Sequence, residues 1–188
     1  ARLASDSLVV EIHDETGAWV LLDLRSGTRW PSEGMADVGD ATWLRGGLTQ
    51  GPRDENSVRF TGKDGGAVVF ALTDSGRAME LRYEKPANET IRVMGDALAI
   101  ADDGYVIIPS REGLLIPAEG DKAFKRAFGT SEYEGCHMNM LGFVKAGAAL
   151  IATWDDAYVF PEVERVVSGG SKLATTFELR GGAESVRL

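Results

Sequence analysis

Hydrophobic and polar residues alternate with a period of two almost from the first residue. Leu8, Val10 and Ile12 fall on one side and Val9, Glu11 and His13 on the other, the pattern of a half-buried β-strand. Asp14–Gly17 is built of turn residues, and Ala18–Leu24 reads as the returning strand. Ser26–Gly27 turns the chain again into Thr28–Trp30, and Pro31 stops it. This is a β-meander. Ser32–Asp40 mixes glycine, serine and acidic residues without a period and reads as a loop. Further strands are expected at Ser57–Thr61, Ala67–Thr73 and Ala78–Lys85, separated by the turn-rich Gly62–Gly66 and Asp74–Gly76. Thr90–Asp96 reads as another strand, while Ala97–Asp103 fits no single pattern. Tyr105–Ile108 and Gly113–Ile116 are apolar strands around a turn or bulge at Pro109–Glu112. Met138–Val144, Ala148–Trp154, Val163–Val167 and Lys172–Leu179 complete the series.

One segment breaks the pattern. Asp121–Phe128 offers an N-cap in Asp121, two aromatic residues four apart in Phe124 and Phe128, and a stop at Gly129, so a short helix is expected there. Short strands with turns every 8 to 12 residues argue for a sandwich or barrel. The expected fold is all-β: a single antiparallel β-sandwich with at most one short helix. No internal repeat or low-complexity linker divides the chain, so residues 1–188 read as one domain, long enough for one sizeable core.

Composition narrows the function classes. The longest uncharged apolar run, Ala146–Trp154, is far short of the roughly 20 residues a membrane-spanning helix needs, so no membrane insertion is expected. The net charge is −9, and the basic residues (Arg45, Arg53, Arg59, Lys122, Lys125 and Arg126 among them) form no stripe that could follow a phosphate backbone. No nucleic-acid partner is expected. Cys136 is the one cysteine, which rules out an intramolecular disulfide. The chain opens on Ala1 and not on methionine. The expectation is a secreted or periplasmic protein whose export signal has been removed.

Candidate chemistry is sparse. His13 and His137 are the histidines available for general acid–base work, but they lie far apart in sequence. Two carboxylate pairs, Asp102–Asp103 and Asp155–Asp156, close apparent strand ends. Glycosidic acid–base catalysis needs two carboxyl groups about 5 to 10 Å apart across the scissile bond, and neighbours on a strand point to opposite faces. Adjacency alone therefore does not make either pair catalytic. No spacing supports a zinc site, since Cys136 and His137 have no second pair to close one. A calcium site built from loop carboxylates needs no short motif, and the sequence leaves it open. The paired glycines Gly46–Gly47, Gly65–Gly66 and Gly169–Gly170 lack the Lys-Ser/Thr of a phosphate loop. No cofactor is expected. Aromatic rings can stack on sugars. Of Trp19, Trp30, Trp43, Trp154, Tyr133 and Tyr158, Trp19 sits in an apolar strand and is expected to be buried. Trp43 and Trp154 are the candidates for carbohydrate contact.

Three segments carry a family resemblance. They are VVEIHDETGAWVLLDLRSGTRW, ending at Trp30; YVIIPSREGLLIPAEG at Tyr105–Gly120; and HMNMLGFVKAGAALIATWDDAY at His137–Tyr158. Together they resemble the β-super-sandwich (galactose-mutarotase-like) domain that precedes the catalytic barrel in several bacterial glycoside hydrolases. The closing LATTFELRGGAESVRL is similar to the last strands of such a domain. In those enzymes the nucleophile and acid lie on the barrel, so the resemblance implies no catalytic residue in this chain. It implies a barrel partner in the same protein and a sandwich loop that helps to wall the sugar site, here Trp154, Asp155 and Asp156. Two rivals remain: an independent carbohydrate-binding module, which needs coplanar exposed aromatics, and a sugar 1-epimerase, which needs a histidine and a carboxylate in one cleft. A domain separated from its barrel is expected to show a bare apolar surface patch.

Overall fold

The computed structural model describes residues 1–86, 89–128, 138–145, 147–155 and 158–188. Strands hold 53% of the described residues, and every strand pairing among them is antiparallel. In chain order, β1 (Arg2–Ala4), β2 (Leu8–Ile12), β3 (Trp19–Asp23) and β4 (Arg29–Trp30) form the opening meander. A one-turn helix α1 (Thr42–Arg45) leads to β5 (Leu48–Arg53), β6 (Ser57–Gly62), β7 (Ala67–Thr73) and β8 (Ala78–Glu84). The short β9 (Ile91–Val93) and β10 (Ile100–Ala101) flank a 3-10 turn at Gly95–Leu98. The remaining strands are β11 (Tyr105–Ile108), β12 (Leu114–Pro117), β13 (Phe124–Ala127), β14 (Met140–Lys145), β15 (Ala148–Thr153), β16 (Val159–Val166), β17 (Lys172–Leu179) and β18 (Ala183–Arg187).

Three sheets result. The meander keeps the order β1-β2-β3-β4. A large nine-stranded sheet runs β12-β11-β14-β15-β18-β8-β7-β6-β5. The smaller sheet runs β10-β17-β16-β13, with β9 also paired to β17. The reason for the layering is visible in the residue period. In β6 every second residue (Val58, Phe60, Gly62) is buried, and in β17 Leu173, Thr175, Phe177 and Leu179 are. The inward rows of the two larger sheets merge with the meander in one core containing Phe60, Phe70, Leu81, Phe143, Val163 and Phe177. Edge-on ring pairs tie the layers. Trp30 meets Phe143 at 6.5 Å and Trp154 meets Phe177 at 5.4 Å, contacts that contribute about 0.5–1.5 kcal/mol each beyond area burial. The sandwich is as expected, and so is the burial of Trp19, which has no exposed surface.

The expected helix at Asp121–Phe128 is not there: Phe124–Ala127 is the strand β13. An eight-residue helix with no tertiary partner is below the length at which helices sustain themselves. Pairing with β16 offers more. Lys125 lies between Glu162 (2.8 Å) and Glu164 (3.5 Å), and the Arg165 guanidinium covers the Phe124 ring at 5.1 Å. Gly129, the expected stop, lies outside the described residues. The α-helix that does form among the described residues is α1, in a stretch that gave no periodic signal. Thr90–Asp96 is strand only over Ile91–Val93 before it tightens into the 3-10 turn.

Candidate functional site

Trp43 is 1% exposed. The side chain from α1 is laid against two glycines of the β6–β7 hairpin, so close that a Cβ on Gly66 would sit 2.6 Å from Trp43 Cδ2 and one on Gly62 would sit 2.6 Å from the Trp43 carbonyl oxygen. The ring is a core element, and the exposed face expected of a sugar platform is absent. Trp154 is likewise buried, at 4%, with its ring edge on Phe177. Its backbone N–H donates to the Asn139 carbonyl at 3.1 Å, which extends the β14–β15 ladder by one residue. Asp155, next along, is exposed. Asp156 lies outside the described residues, as do His137, Cys136 and Tyr133. Trp154 therefore anchors the end of β15, and Asp155 is the described part of the expected loop that reaches solvent.

The other sequence candidates separate. His13 is exposed at the start of a turn, its Nδ1 3.2 Å from Thr16 Oγ1 and beside Asp14 in sequence. Asp102 and Asp103 occupy an exposed turn in which Asp102 takes φ +52°. This turn borders a cavity of about 600 Å³ that is also lined by Glu33, Asp96, Lys145 and Lys172. Lys172 pairs with Asp96 at 2.8 Å. Lys145 donates to the Arg29 carbonyl at 3.0 Å and to Ser32 Oγ at 2.7 Å, with its ammonium 3.8 Å above the Trp30 ring. Burial pushes that ammonium down to about 8. Lys145 thereby clasps the end of β14 to the meander, and the geometry is that of a structural tie.

The outer face of the nine-stranded sheet is the more unusual surface. Register places Leu115, Ile107, Gly142 and Ile151 in one row across β12, β11, β14 and β15. Flanking rows on the same face hold Pro117, Tyr105, Val144 and Ala149 on one side and Met140 and Thr153 on the other. Leu115 is 66% exposed, Ile151 51% and Ile107 39%. The same outer face changes character at β18. The row that contains Met140 and Thr153 continues through Arg187, Glu80, Ala71 and Ser57, and its neighbour reads Ser185, Arg82, Val69 and Arg59. One half of the face is apolar and the other half is charged.

The charged half is organised around Glu84, which accepts from Arg59 at 2.6 Å and lies 3.4 Å from Arg82. The Arg59 hydrogen bond holds the Glu84 carboxyl below its ordinary value, against the opposing effect of partial burial. A carboxylate depressed in the folded state contributes stability above its unfolded pKa and loses it as pH falls through the folded value. Glu84→Gln is therefore expected to be less stable than the wild type near neutrality, with the gap closing from about pH 6 to about pH 3. Urea midpoints of both proteins across that range check this, and a gap that does not change with pH would contradict it.

The bare apolar patch was expected from the sequence but was given no place, although a signal for its place was present. VIIP and LLIP are apolar at consecutive positions, hence on both faces of their strands. An antiparallel strand covered on one side alone alternates. Double-sided apolarity was therefore a sign that these strands are apolar on the outer face as well as the inner one.

No protein-family model matches the sequence, and no curated protein matches it. Solved structures do. The whole chain superimposes on part of the α-N-acetylgalactosaminidase NagBb from Bifidobacterium bifidum. A quadruple mutant of that enzyme matches with a TM-score of 0.73 at 12% identity. Its complex with Gal-NHAc-DNJ and its ligand-free form each match at 0.70 with 14% identity. In each case the match covers 100% of this chain and 35% of the other. At this identity the likeness establishes the fold. The chain is similar to about a third of a glycoside hydrolase.

Proposed function

We propose that this chain is the non-catalytic β-sandwich domain, of the galactose-mutarotase-like kind, of a glycoside-hydrolase-like protein. It packs on the catalytic barrel of the same polypeptide and lends at most a loop to the wall of its sugar site. The observation that carries the reading is the match of the whole chain to one third of a glycosidase chain. The burial of Trp43 and Trp154 fits it. Asp155 is the candidate contact to carbohydrate, held in place by Trp154, with Asp156 beside it in sequence. The substrate class that follows is a terminal N-acetylgalactosaminide, and the setting is a secreted or periplasmic bacterial protein.

The binding-module alternative needs two coplanar exposed rings. Among the described residues Trp19, Trp30, Trp43 and Trp154 are all buried, and Tyr158 is the large aromatic most open to solvent, at 60%. The accessory reading is the better supported. Its test compares hydrolysis of an aryl α-N-acetylgalactosaminide by this chain and by the full gene product that contains it. Turnover is expected from the full product alone. Turnover by the isolated chain, or a full product inactive on this and a panel of other aryl glycosides, would refute it.

A further inference from the structure

We infer that the apolar half of the outer sheet face, centred on Leu115, Ile107 and Ile151, is the seat of the catalytic domain of the same polypeptide. The inference rests on the accessory-domain reading and adds to it a place.

The sheet supplies its own control. A solvent-facing half of this sheet, on β6, β7, β8 and β18, carries Arg59, Arg82, Glu80, Glu84 and Arg187. The half on β12, β11, β14 and β15 has leucine, isoleucine and glycine in its central row and no charged side chain there. Both halves bury their inner faces in the same core, so the sandwich itself does not require the difference. Contiguous apolar surface rimmed by polar residues marks an interaction site.

The kind of occupant follows from chemistry. A sugar needs hydrogen-bonding groups to fix its hydroxyls, and the row Leu115–Ile107–Gly142–Ile151 offers no polar side chain. A membrane surface would call for a basic rim, because cytoplasmic and bacterial leaflets are anionic, and this chain carries a net charge of −9. A protein surface remains. Two observations select the catalytic domain over a second copy of this chain. The matched structures have about two thirds of their length outside the part this chain covers. Asp155, the proposed wall residue, stands two residues beyond the end of β15, so a domain seated on β15 is beside the loop that must reach its sugar site.

Single cysteines test the placement in a Cys136→Ser background, which removes the one native thiol of this chain, with labelling read at the introduced residue by peptide mass spectrometry. Leu115→Cys and Ile151→Cys report on the apolar half, and Arg82→Cys, at a half-exposed position on the charged half, is the control. Each is labelled with a fluorescent maleimide in the isolated chain and in the full gene product, after circular dichroism has shown that the variant folds. Leu115 is on an edge strand, so its variant serves alone if Ile151→Cys does not fold. The expected result is labelling at least about tenfold slower in the full product at 115 and 151, as for a buried interface centre, and unchanged at 82. Equal rates at all three positions in a full product that hydrolyses glycosides would overturn the placement and leave the accessory reading standing. A full product without glycosidase activity would remove both. Protection at 115 and 151 that appears in the isolated chain and grows with its concentration would assign the face to a second copy instead, and would also overturn the inference.

Discussion

Replacing Lys85 with methionine is expected to destabilise the domain by about 3–5 kcal/mol, the usual cost of leaving one member of a buried ion pair without its partner. The side chains of Lys85 and Glu184 have no exposed surface, and Lys85 Nζ stands 2.9 Å from Glu184 Oε2. Lys85 also donates to the Leu179 carbonyl at 2.8 Å, and Glu184 accepts from the Gly181 backbone N–H. The group thus ties the end of β8 to the β17–β18 connection, where the two larger sheets meet. Without the ammonium, the Glu184 carboxylate would be left desolvated against an apolar wall. For a chain of this length the melting temperature should fall by roughly 6–20 °C. Glu184→Leu should cost a similar amount through the stranded ammonium. The double variant Lys85→Met/Glu184→Leu should recover most of the loss, because two apolar groups of similar volume no longer require each other. Urea denaturation of all four proteins closes the cycle. Additive losses in the double variant would show that the two side chains do not act as a pair.

The second large effect is expected at Trp43. Truncation to alanine should cost about 3–5 kcal/mol, as for other buried aromatics, because the ring fills the space left by Gly62 and Gly66 and helps to hold α1 on the β6–β7 hairpin. Gly66→Ala attacks the same contact from the other side. Its new methyl would meet Trp43 Cδ2 at 2.6 Å and Pro86 Cδ at 2.8 Å, and overpacking of this kind costs about 1–3 kcal/mol. Both variants should lower the urea midpoint. A Trp43→Ala protein as stable as the wild type would return that ring to the list of surface groups free to contact a sugar.

Much of the fold was legible in the residue pattern. Ala67–Thr73, Tyr105–Ile108 and Lys172–Leu179 are strands over the expected residues because their burial alternates or is continuous, as a sheet requires. The misses have separate causes. β5 contains Gly51 and Pro52, which argue against a strand, yet it is an edge strand with an irregular register between Gln50 and Arg53, where proline is tolerated. β18 was hidden from periodicity because Glu184, a charged residue, points into the core and meets Lys85 there. Pairing of that kind is a tertiary fact that no local window contains. β13 was mistaken for a helix because two aromatic residues four apart satisfy a helical rule, while the cross-strand partners Glu162 and Glu164 lie almost 40 residues downstream. The candidate site was less legible for one reason. Sequence marks a tryptophan but not whether its face is covered, and Trp43 and Trp154 are both covered. The apolar half was written in VIIP and LLIP, but double-sided apolarity reads equally as a strand buried within its own domain.

Gly142 has a bearing on the shape of that half. It has no side chain, and Ile107 leans across the gap, with its Cβ and Cδ1 each 3.2 Å from where a methyl on residue 142 would stand. The isoleucine therefore occupies the space above Gly142 and is less exposed than Leu115 and Ile151 in the same row. A single methyl at residue 142 would lift Ile107 by a few tenths of an ångström and raise a ridge along β11, with the inner face of β14 left as it is. One position thus sets the topography of the plate independently of the core beneath it, and is a natural dial for adjusting how closely two bodies can be brought together there.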